Sequence, residues 1–123
     1  MNISQIVKGV SKDEPVEVNE KGGAQSKVLY ATHLVDPLAF FEMCKVLDEG
    51  DKKYRHLGGW ENWRNIPIAE HLNHMIIHAY AYLAGDTSDE HLSHIMCRAM
   101  FAQGVALQNE EYHQQRINIL EGK

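Results

Sequence analysis

The chain is poor in cysteine and has no long apolar run, and both shortages exclude whole classes of protein. Its two cysteines, Cys44 and Cys97, lack the paired spacing of a zinc knuckle and are too few for a disulfide framework. No apolar stretch approaches the ~20 residues that span a bilayer, and the N-terminus lacks the apolar core of a signal peptide. We therefore expect a cytoplasmic protein without a membrane partner.

Basic residues are also scarce. Lys and Arg together number 12 against 17 Asp and Glu, which gives a formal net charge of −5. Proteins that coat a nucleic-acid duplex normally carry a basic stripe, so we expect no duplex partner. What remains is a chain of 123 residues that is 44% hydrophobic, which is the size and balance of one globular domain.

The start of the chain differs in pattern from the rest. Residues 1–30 are polar and lack helical periodicity, and they predict an extended N-terminal arm that gains order by packing. Within this arm, the alternation of Val16 and Val18 with polar residues predicts either a short strand or an extended segment. Residues 31–123 predict a single helical domain.

The first helix signal follows the arm. Asp36-Pro37 suits a helix start, because aspartate caps helices well and proline fits the first turn. Gly50 should end this helix. The stretch 50–65 is rich in glycine, tryptophan and basic residues, and it predicts a long connection with one helical turn.

Three further helices are predicted after this connection. The second should run from near Pro67 to Leu83 or Ala84, with Gly85 ending it. Thr87 and Glu90 match a T-x-x-E capping box, which predicts the start of a third helix that continues to about residue 107. A last helix is expected within 109–120.

The apolar residues of the second and third helices repeat at helical spacing, which predicts one buried face on each. A short connection at Gly85 favours a central antiparallel αα-hairpin, so the expected fold is a small all-α helical bundle. The core of such a chain is small, and a homo-oligomer would bury more surface. The residues expected to be buried are Ile68, Leu72, Met75, Ile76, Ala79 and Leu83 on the second helix, and Leu92, Ile95, Met96, Ala99 and Ala102 on the third.

Histidine is the unusual residue, with eight in the chain. Three of them repeat at i, i+3 and i+7 on the second predicted helix, and two repeat with an arginine at the same spacing on the third. In an antiparallel hairpin both stripes face one groove, with two aspartates at its closed end. The residues are His71, His74 and His78, then His91, His94 and Arg98, and the carboxylates Asp86 and Asp89.

This groove has two interpretations. Carboxylates suit Mg²⁺ or Mn²⁺, imidazoles suit Zn²⁺, and Arg98 suits bidentate binding of a phosphate, so the groove is a candidate metal or anion site. Alternatively, the histidines are structural residues that form hydrogen bonds at the edge of the core. Given the matched spacing of the two stripes, the functional and the structural interpretations are about equally well supported.

A second candidate region mixes basic and aromatic residues between 52 and 64. Cations beside aromatic rings suit a nucleotide, with phosphates on the cations and the base on a ring. The alternative is a solvated loop held by tryptophans that pack in the core. The residues concerned are Lys52, Lys53, Tyr54, Arg55, Trp60, Trp63 and Arg64.

Five short motifs follow one another in a specific order: GDKKY at 50–54, NWR at 62–64, His78 before Gly85-Asp86, Asp89, and HLSH at 91–94. This set resembles the mostly phage-encoded dATP/dGTP diphosphohydrolase N-terminal domain family, whose motifs are G-a-x-K-Y, N-W-r, R-H, G-E-x-x-D and H-x-x-H. The resemblance covers about residues 21–107. Ile77 stands where the family usually has arginine, and Asp86 where it has glutamate.

The resemblance implies an α-helical protein that splits a purine deoxynucleoside triphosphate, dATP or dGTP, into the monophosphate and pyrophosphate with a divalent metal. The activity is distantly similar to that of the MazG-like enzymes, although their E-x-x-E and E-x-x-D clusters are absent here. It implies a role in nucleotide-pool metabolism in an infected bacterial cytoplasm. The matched positions are Lys53, Tyr54, Asn62, Trp63, Arg64, His78, Asp86, Asp89, His91 and His94.

Two hypotheses of function follow. In the enzyme hypothesis, Asp86 and Asp89 hold Mg²⁺ or Mn²⁺, with Zn²⁺ at the histidine stripes as the other option, and His78, His91 or His94 positions or deprotonates a water. The substrate would be bound by Lys53, Tyr54, Asn62, Trp63, Arg64 and Arg98. In the alternative, the chain is a non-catalytic module that binds a nucleotide or a nucleotide-derived signal. A structural oligomer is a third, plainer interpretation.

Overall fold

The computed structural model describes residues 12–123, and the part of the expected arm at 1–11 lies outside them. The chain divides into two compact units at Asp36–Pro37. None of the helices in the described residues is both long enough and apolar enough to span a membrane.

The first unit contains a short β-hairpin. Strands β1 (Val16–Val18) and β2 (Ala24–Ser26) are antiparallel, with Glu17 opposite Gln25. The turn is held by Asn19, whose side-chain oxygen accepts hydrogen bonds from the N–H groups of Lys21 and Gly23. Of the two sequence-based alternatives for Val16 and Val18, the structure contains the strand. A single 3₁₀ turn, Thr32–Leu34, follows the hairpin.

The second unit is helical, which confirms the predicted all-α bundle. Its centre is an antiparallel αα-hairpin of α2 and α3, which is the most closely packed pair of helices in the described chain. α1 and the 3₁₀ turn pack against α3. The elements are α1 (Pro37–Gly58), a 3₁₀ turn (Asn62–Asn65), α2 (Ile68–Leu83), α3 (His91–Leu107) and α4 (Glu110–Leu120).

The predicted end of the first helix at Gly50 is wrong, because α1 continues to Gly58. The i, i+4 ion pair Asp48–Lys52 connects the turns on both sides of the glycine, and Asp51–Arg55 stabilises the turn that follows it. Such pairs stabilise a helix and offset part of what an interior glycine costs it. The helix ends where Gly59 adopts a left-handed backbone with φ of 83°.

The connection between α2 and α3 confirms one sequence signal and corrects another. Gly85 ends α2 as predicted: its φ is 84°, its N–H bonds to the Tyr82 carbonyl, and the Asp86 N–H bonds to the Ala81 carbonyl. The predicted capping box is wrong, because α3 begins at His91 and the Glu90 side chain makes no cap. Asp86 competes for the turn instead, and its carboxylate accepts hydrogen bonds from both the N–H and the hydroxyl of Ser88.

The core of the described chain is small and unusually polar. Its buried hydrophobic residues are Val46, Cys97 and Ala102, and the polar or charged Arg64, His71, His91 and Ser93 are buried with them. The prediction that the apolar faces of α2 and α3 are buried is wrong for much of their length. Leu72, Ile76 and Leu83 remain 44%, 55% and 78% exposed, and Leu92 remains 53% exposed. Histidine side chains make contacts between the two helices: His71 with Arg98, and His78 with His91 and His94.

Candidate functional site

Three side chains meet at the closed end of the hairpin: His78 of α2, Asp89 of the connection and His94 of α3. One ligand atom of each lies within 4.8 Å of the other two. The rings of His78 and His94 are stacked, with centroids 4.7 Å apart and planes inclined by 8°. His94 Nε2 lies 3.2 Å from Asp89 Oδ1. We call these three residues the metal triad, because two imidazoles and a carboxylate are a common donor set for divalent metals.

A chain of hydrogen bonds supports His78 from behind. His91 Nε2 lies 2.6 Å from Asp86 Oδ2, and His91 Nδ1 lies 2.9 Å from His78 Nδ1. A carboxylate only accepts, so Nε2 of a neutral His91 carries the proton and its Nδ1 must accept from His78. His78 then keeps an unprotonated Nε2. This is the atom that a metal would bind, and a carboxylate–histidine chain is a usual way of orienting such a ligand.

Electrostatics favour the same protonation states. Burial, followed by the proximity of His94, lowers the pKa of His78 below its ordinary value. The Ser88 hydroxyl and His91 hold the pKa of Asp86 below its usual range. Burial raises the pKa of Asp89, but the Glu90 N–H and the nearby histidines outweigh it and leave that pKa lowered. Neutral imidazole and charged carboxylate are the forms that bind metal.

Further along the groove, His71 and Arg98 form a second pair. His71 is completely buried, and its Nε2 donates to the Trp63 carbonyl at 2.9 Å. Its other ring nitrogen, Nδ1, accepts from Arg98 Nη1 at 3.1 Å. Among residues 12–123, the salt bridges leave Arg98 without a carboxylate partner. Its charge is therefore held by a neutral imidazole and remains uncompensated.

The two groups share one face of the hairpin. Arg98 lies one turn after His94 on α3, and His71 lies two turns before His78 on the antiparallel α2. We use the name hairpin groove for the metal triad together with His71, His91 and Arg98. Tyr54 of α1 is near enough to Arg98 to raise the pKa of that guanidinium, although burial lowers the same pKa more strongly.

The residues predicted from the 50–65 region fall into two groups. Lys53 and Tyr54 lie exposed on α1, with the ammonium 5.2 Å from the ring centre, and Tyr54 is on the Arg98 side. Asn62 lies at the start of the 3₁₀ turn, and its side-chain oxygen fills the space beside Gly58. Within residues 12–123, neither Lys53 nor Asn62 forms a hydrogen bond or an ion pair with the metal triad. Trp63 and Arg64 belong to the interior.

Trp63 and Arg64 are held in the interior by contacts with residues that the sequence pattern did not indicate. Glu61, which has a left-handed φ of 50°, forms ion pairs with both Arg64 and Arg116 of α4. Trp63 stacks on Phe101, with ring centroids 4.8 Å apart. A Cβ at Gly104 would come within 2.7 Å of the Trp63 ring, so this glycine permits the ring to pack. No local sequence signal pairs Glu61 with an arginine 55 positions away.

The burial of His71 has a consequence for stability. Burial lowers its pKa below 6.5, Arg98 and His74 lower it further, and only the Trp63 carbonyl opposes them. As the pH falls below 6.5, His71 therefore takes up a proton in the unfolded chain more readily than in the folded chain. The free energy of unfolding is greatest above pH 6.5 and decreases as the pH drops below that value. We expect urea unfolding between about pH 7.5 and about pH 5.5 to show this fall, with a shallower slope in His71→Gln. Equal slopes would contradict it.

Comparison with known proteins identifies a family. A family model described as dATP/dGTP diphosphohydrolase, N-terminal, matches residues 19–115, which include the hairpin, the metal triad and the 3₁₀ turn. Neither the curated proteins nor the solved structures contain a match.

Proposed function

This chain belongs to the dATP/dGTP diphosphohydrolase N-terminal family, and from that membership we propose that its hairpin groove binds a divalent metal and a purine deoxynucleoside triphosphate and hydrolyses the nucleotide. The products would be the deoxynucleoside monophosphate and pyrophosphate. The carrying observation is that one groove contains both a triad of candidate metal ligands and a guanidinium that has no carboxylate partner within residues 12–123. A nucleoside triphosphate is an anion that binds together with a divalent metal, so a site for it needs both metal ligands and a cationic side chain.

The donor set fits a divalent ion, and it has a preference. Two imidazoles and one carboxylate suit Mn²⁺, Zn²⁺ and similar transition metals better than Mg²⁺, which favours oxygen ligands. His78, Asp89 and His94 would hold the ion. When bound, the ion supplies Lewis acidity that stabilises charge on the phosphate oxygens.

Asp86 and His91 have positioning roles in this proposal, which differs from the assignment made on sequence alone. The sequence paired Asp86 with Asp89 as metal ligands and grouped His91 with His78 and His94. Because His91 Nδ1 lies in hydrogen-bond distance of His78 and its Nε2 in that of Asp86, we infer that Asp86 and His91 fix the ring and the tautomer of His78. Asp86 also holds Ser88 and thereby shapes the connection that carries Asp89.

The substrate would lie along the groove from the triad towards Arg98. His71 fixes one Nη atom of Arg98, and the remaining donors of the guanidinium would bind a phosphate. Tyr54 is exposed and near Arg98, so it is the better candidate for stacking on the purine than Trp63, whose ring already stacks on Phe101. The neighbouring Lys53 would add positive charge.

The reaction adds one water across the bond between the α- and β-phosphates. The water oxygen bonds to the α-phosphorus, the bond from that phosphorus to the bridging oxygen breaks, and pyrophosphate leaves with the bonding electrons. One proton is released to solvent. The groove contributes by orienting the phosphates and by neutralising their charge as the bond breaks.

The test is pyrophosphate release from each of the four deoxynucleoside triphosphates, with Mn²⁺, Mg²⁺ or Zn²⁺ and with EDTA. Release from dATP or dGTP that requires metal is the expected result. If no pyrophosphate forms but the nucleotides still raise the melting temperature, the chain is a non-catalytic nucleotide-binding module. If there is neither release nor stabilisation, both functions are wrong.

Arg98→Lys tests the phosphate contact. Lysine keeps the charge but cannot bind His71 and a phosphate in the planar geometry of a guanidinium, so we expect the dissociation constant for dGTP to rise about tenfold. Calorimetric titration in the presence of metal measures this. Arg55→Lys is the control, because Arg55 lies on α1 in an ion pair with Asp51. Unchanged affinity in Arg98→Lys would remove Arg98 from the site.

A further inference from the structure

Many of the apolar residues that α2 and α3 leave exposed fall on one side of the hairpin, and their position follows from helical geometry. At about 100° per residue, Ile68, Leu72, Ile76, Tyr80 and Leu83 form a stripe on α2, roughly 130° around the axis from His71 and His78. His71 and His78 contact α3, so the stripe lies to one side of the contact between the helices.

The exposed stripe of α3 is displaced in the same sense. Leu92, Ala99 and Ala106 lie roughly 100° around α3 from His91 and Arg98, which contact α2. Displacements of the same sign on two antiparallel helices put both stripes on the same side of the hairpin. We call this surface the outer face: Ile68, Leu72, Ile76, Tyr80, Leu83, Leu92, Ala99 and Ala106.

The other side of the hairpin is already occupied. Cys97 and Gly104 are displaced in the opposite sense on α3, and they contact the Met43 carbonyl of α1 and the Trp63 ring. His74, the exposed histidine of α2, is also displaced in that opposite sense. His71, His78, His91 and Arg98 of the hairpin groove lie at the contact between the helices, and none of them belongs to the outer face. An occupant of the outer face would therefore rest on a different set of side chains.

We propose that the outer face is the interface of a homodimer, in which two αα-hairpins pack face to face as a four-helix arrangement. Its side chains leave on the order of 700 Å² exposed, close to the ~800 Å² that each partner buries in a standard interface. None of its eight residues is charged, although 24% of the chain is. A second copy can therefore pair with it around a two-fold axis without placing like charges together.

The composition of the core supports a second copy as the occupant. Three buried hydrophobic side chains within residues 12–123 are few for a domain of this size. Pairing the outer faces would convert exposed isoleucine, leucine and tyrosine surface into a shared apolar core. This provides the burial that the periodic apolar pattern of α2 predicts and that one chain alone does not achieve.

The test compares two adjacent isoleucines. Ile76 lies on the outer face and Ile77 lies about 100° further around α2, yet each is 55% exposed. Interfaces of this size have dissociation constants from micromolar to picomolar, so the full chain at about 100 µM should have twice its 14.0 kDa mass by light scattering or sedimentation. Ile76→Glu should halve that mass, whereas Ile77→Glu should leave it unchanged.

Each other outcome overturns the proposal. A wild-type chain that is monomeric at this concentration has no such interface. A dimer that survives Ile76→Glu, or one that both variants dissociate, is formed through another surface. If Ile76→Glu fails to fold by circular dichroism, Tyr80→Glu replaces it, because Tyr80 is 69% exposed on the same face and its loss opens no cavity. Because mass is measured without nucleotide or metal, the result does not depend on the proposed activity.

Discussion

Asp89→Asn should reduce metal-dependent pyrophosphate release by more than the ~100-fold that loss of an outer-shell partner costs. Asparagine keeps the shape of the side chain and can still accept the Glu90 N–H bond, which Asp89 Oδ1 accepts at 2.8 Å. What it removes is the single carboxylate of the metal triad. The connection should therefore keep its conformation while the affinity for the ion collapses.

A second readout separates binding from chemistry. Mn²⁺ should raise the melting temperature of the wild-type chain, since a ligand that binds the folded state stabilises it, and this rise should vanish in Asp89→Asn. Asp86→Asn is the informative comparison. It keeps all three triad ligands but weakens the bond that orients His91, so a 10–100-fold loss is expected.

Asp48→Asn is the matched control for the loss of a carboxylate. Asp48 lies exposed on α1 in a pair with Lys52 and takes no part in the groove, so its substitution should leave both readouts unchanged. If Asp89→Asn retains wild-type activity and wild-type stabilisation by Mn²⁺, the triad is not a metal site.

Glu61→Ala should lower the free energy of unfolding by about 3 kcal/mol, which is the largest change in stability that we expect from a single substitution. The Arg64 side chain is 4% exposed and that of Glu61 is 10% exposed, so removal of the carboxylate leaves a buried guanidinium without its counter-charge. The Trp63 and Tyr112 rings near Arg64 compensate only in part. Arg116 of α4 would lose its partner as well.

Urea denaturation followed by circular dichroism measures this loss. Glu42→Ala is the control, because the Glu42–Lys45 pair is 49% and 69% exposed and such pairs contribute at most about 1 kcal/mol. The double variant Glu61→Gln, Arg64→Met should recover much of the stability, since it removes the buried charge together with its partner. A loss of less than about 1 kcal/mol in Glu61→Ala would show that Arg64 is satisfied by its other contacts.

The elements that the sequence predicted well are those with local causes. Gly85 was sufficient to place the end of α2, because only a residue that tolerates a left-handed backbone allows the two hydrogen bonds that close the helix. The antiparallel hairpin followed from the shortness of the connection. The spacing also made the two histidine stripes visible, and the structure brings His78 to His91 and His71 to Arg98, whereas His74 is exposed.

The sequence-based predictions that were wrong overlooked competing interactions. Gly50 by itself predicts a helix end, but the Asp48–Lys52 ion pair spans it and Asp51–Arg55 supports the next turn, so α1 continues. The predicted capping box at Thr87 does not form, because Asp86 accepts hydrogen bonds from Ser88 and His91 in the same turn. The contact with His91 depends on the position of α3, which the local sequence does not reveal. Glu61 and Arg64 are close together in the sequence, but the burial of this ion pair depends on α4 and on the ring of Trp63.

The prediction of the apolar faces failed for a different reason. Apolar periodicity predicts that one face of a helix is buried, but it does not identify what covers that face. Leu72, Ile76 and Leu83 are spaced correctly for burial and are exposed, while His71 at the contact between the helices is completely buried. If the homodimer forms, the pattern was right and the single chain was the wrong unit to compare it with.

The connection between α2 and α3 has a practical consequence for protein engineering. Exposed turns are usually the places where a chain accepts an inserted tag or a reporter domain. Here Asp86 is bonded to His91 and Asp89 lies against His94, so both ends of the turn are fastened to side chains of α3. An inserted residue would shift one carboxylate against the other, and a reporter is better placed in the β-hairpin turn at Glu20–Lys21, which carries none of the groove.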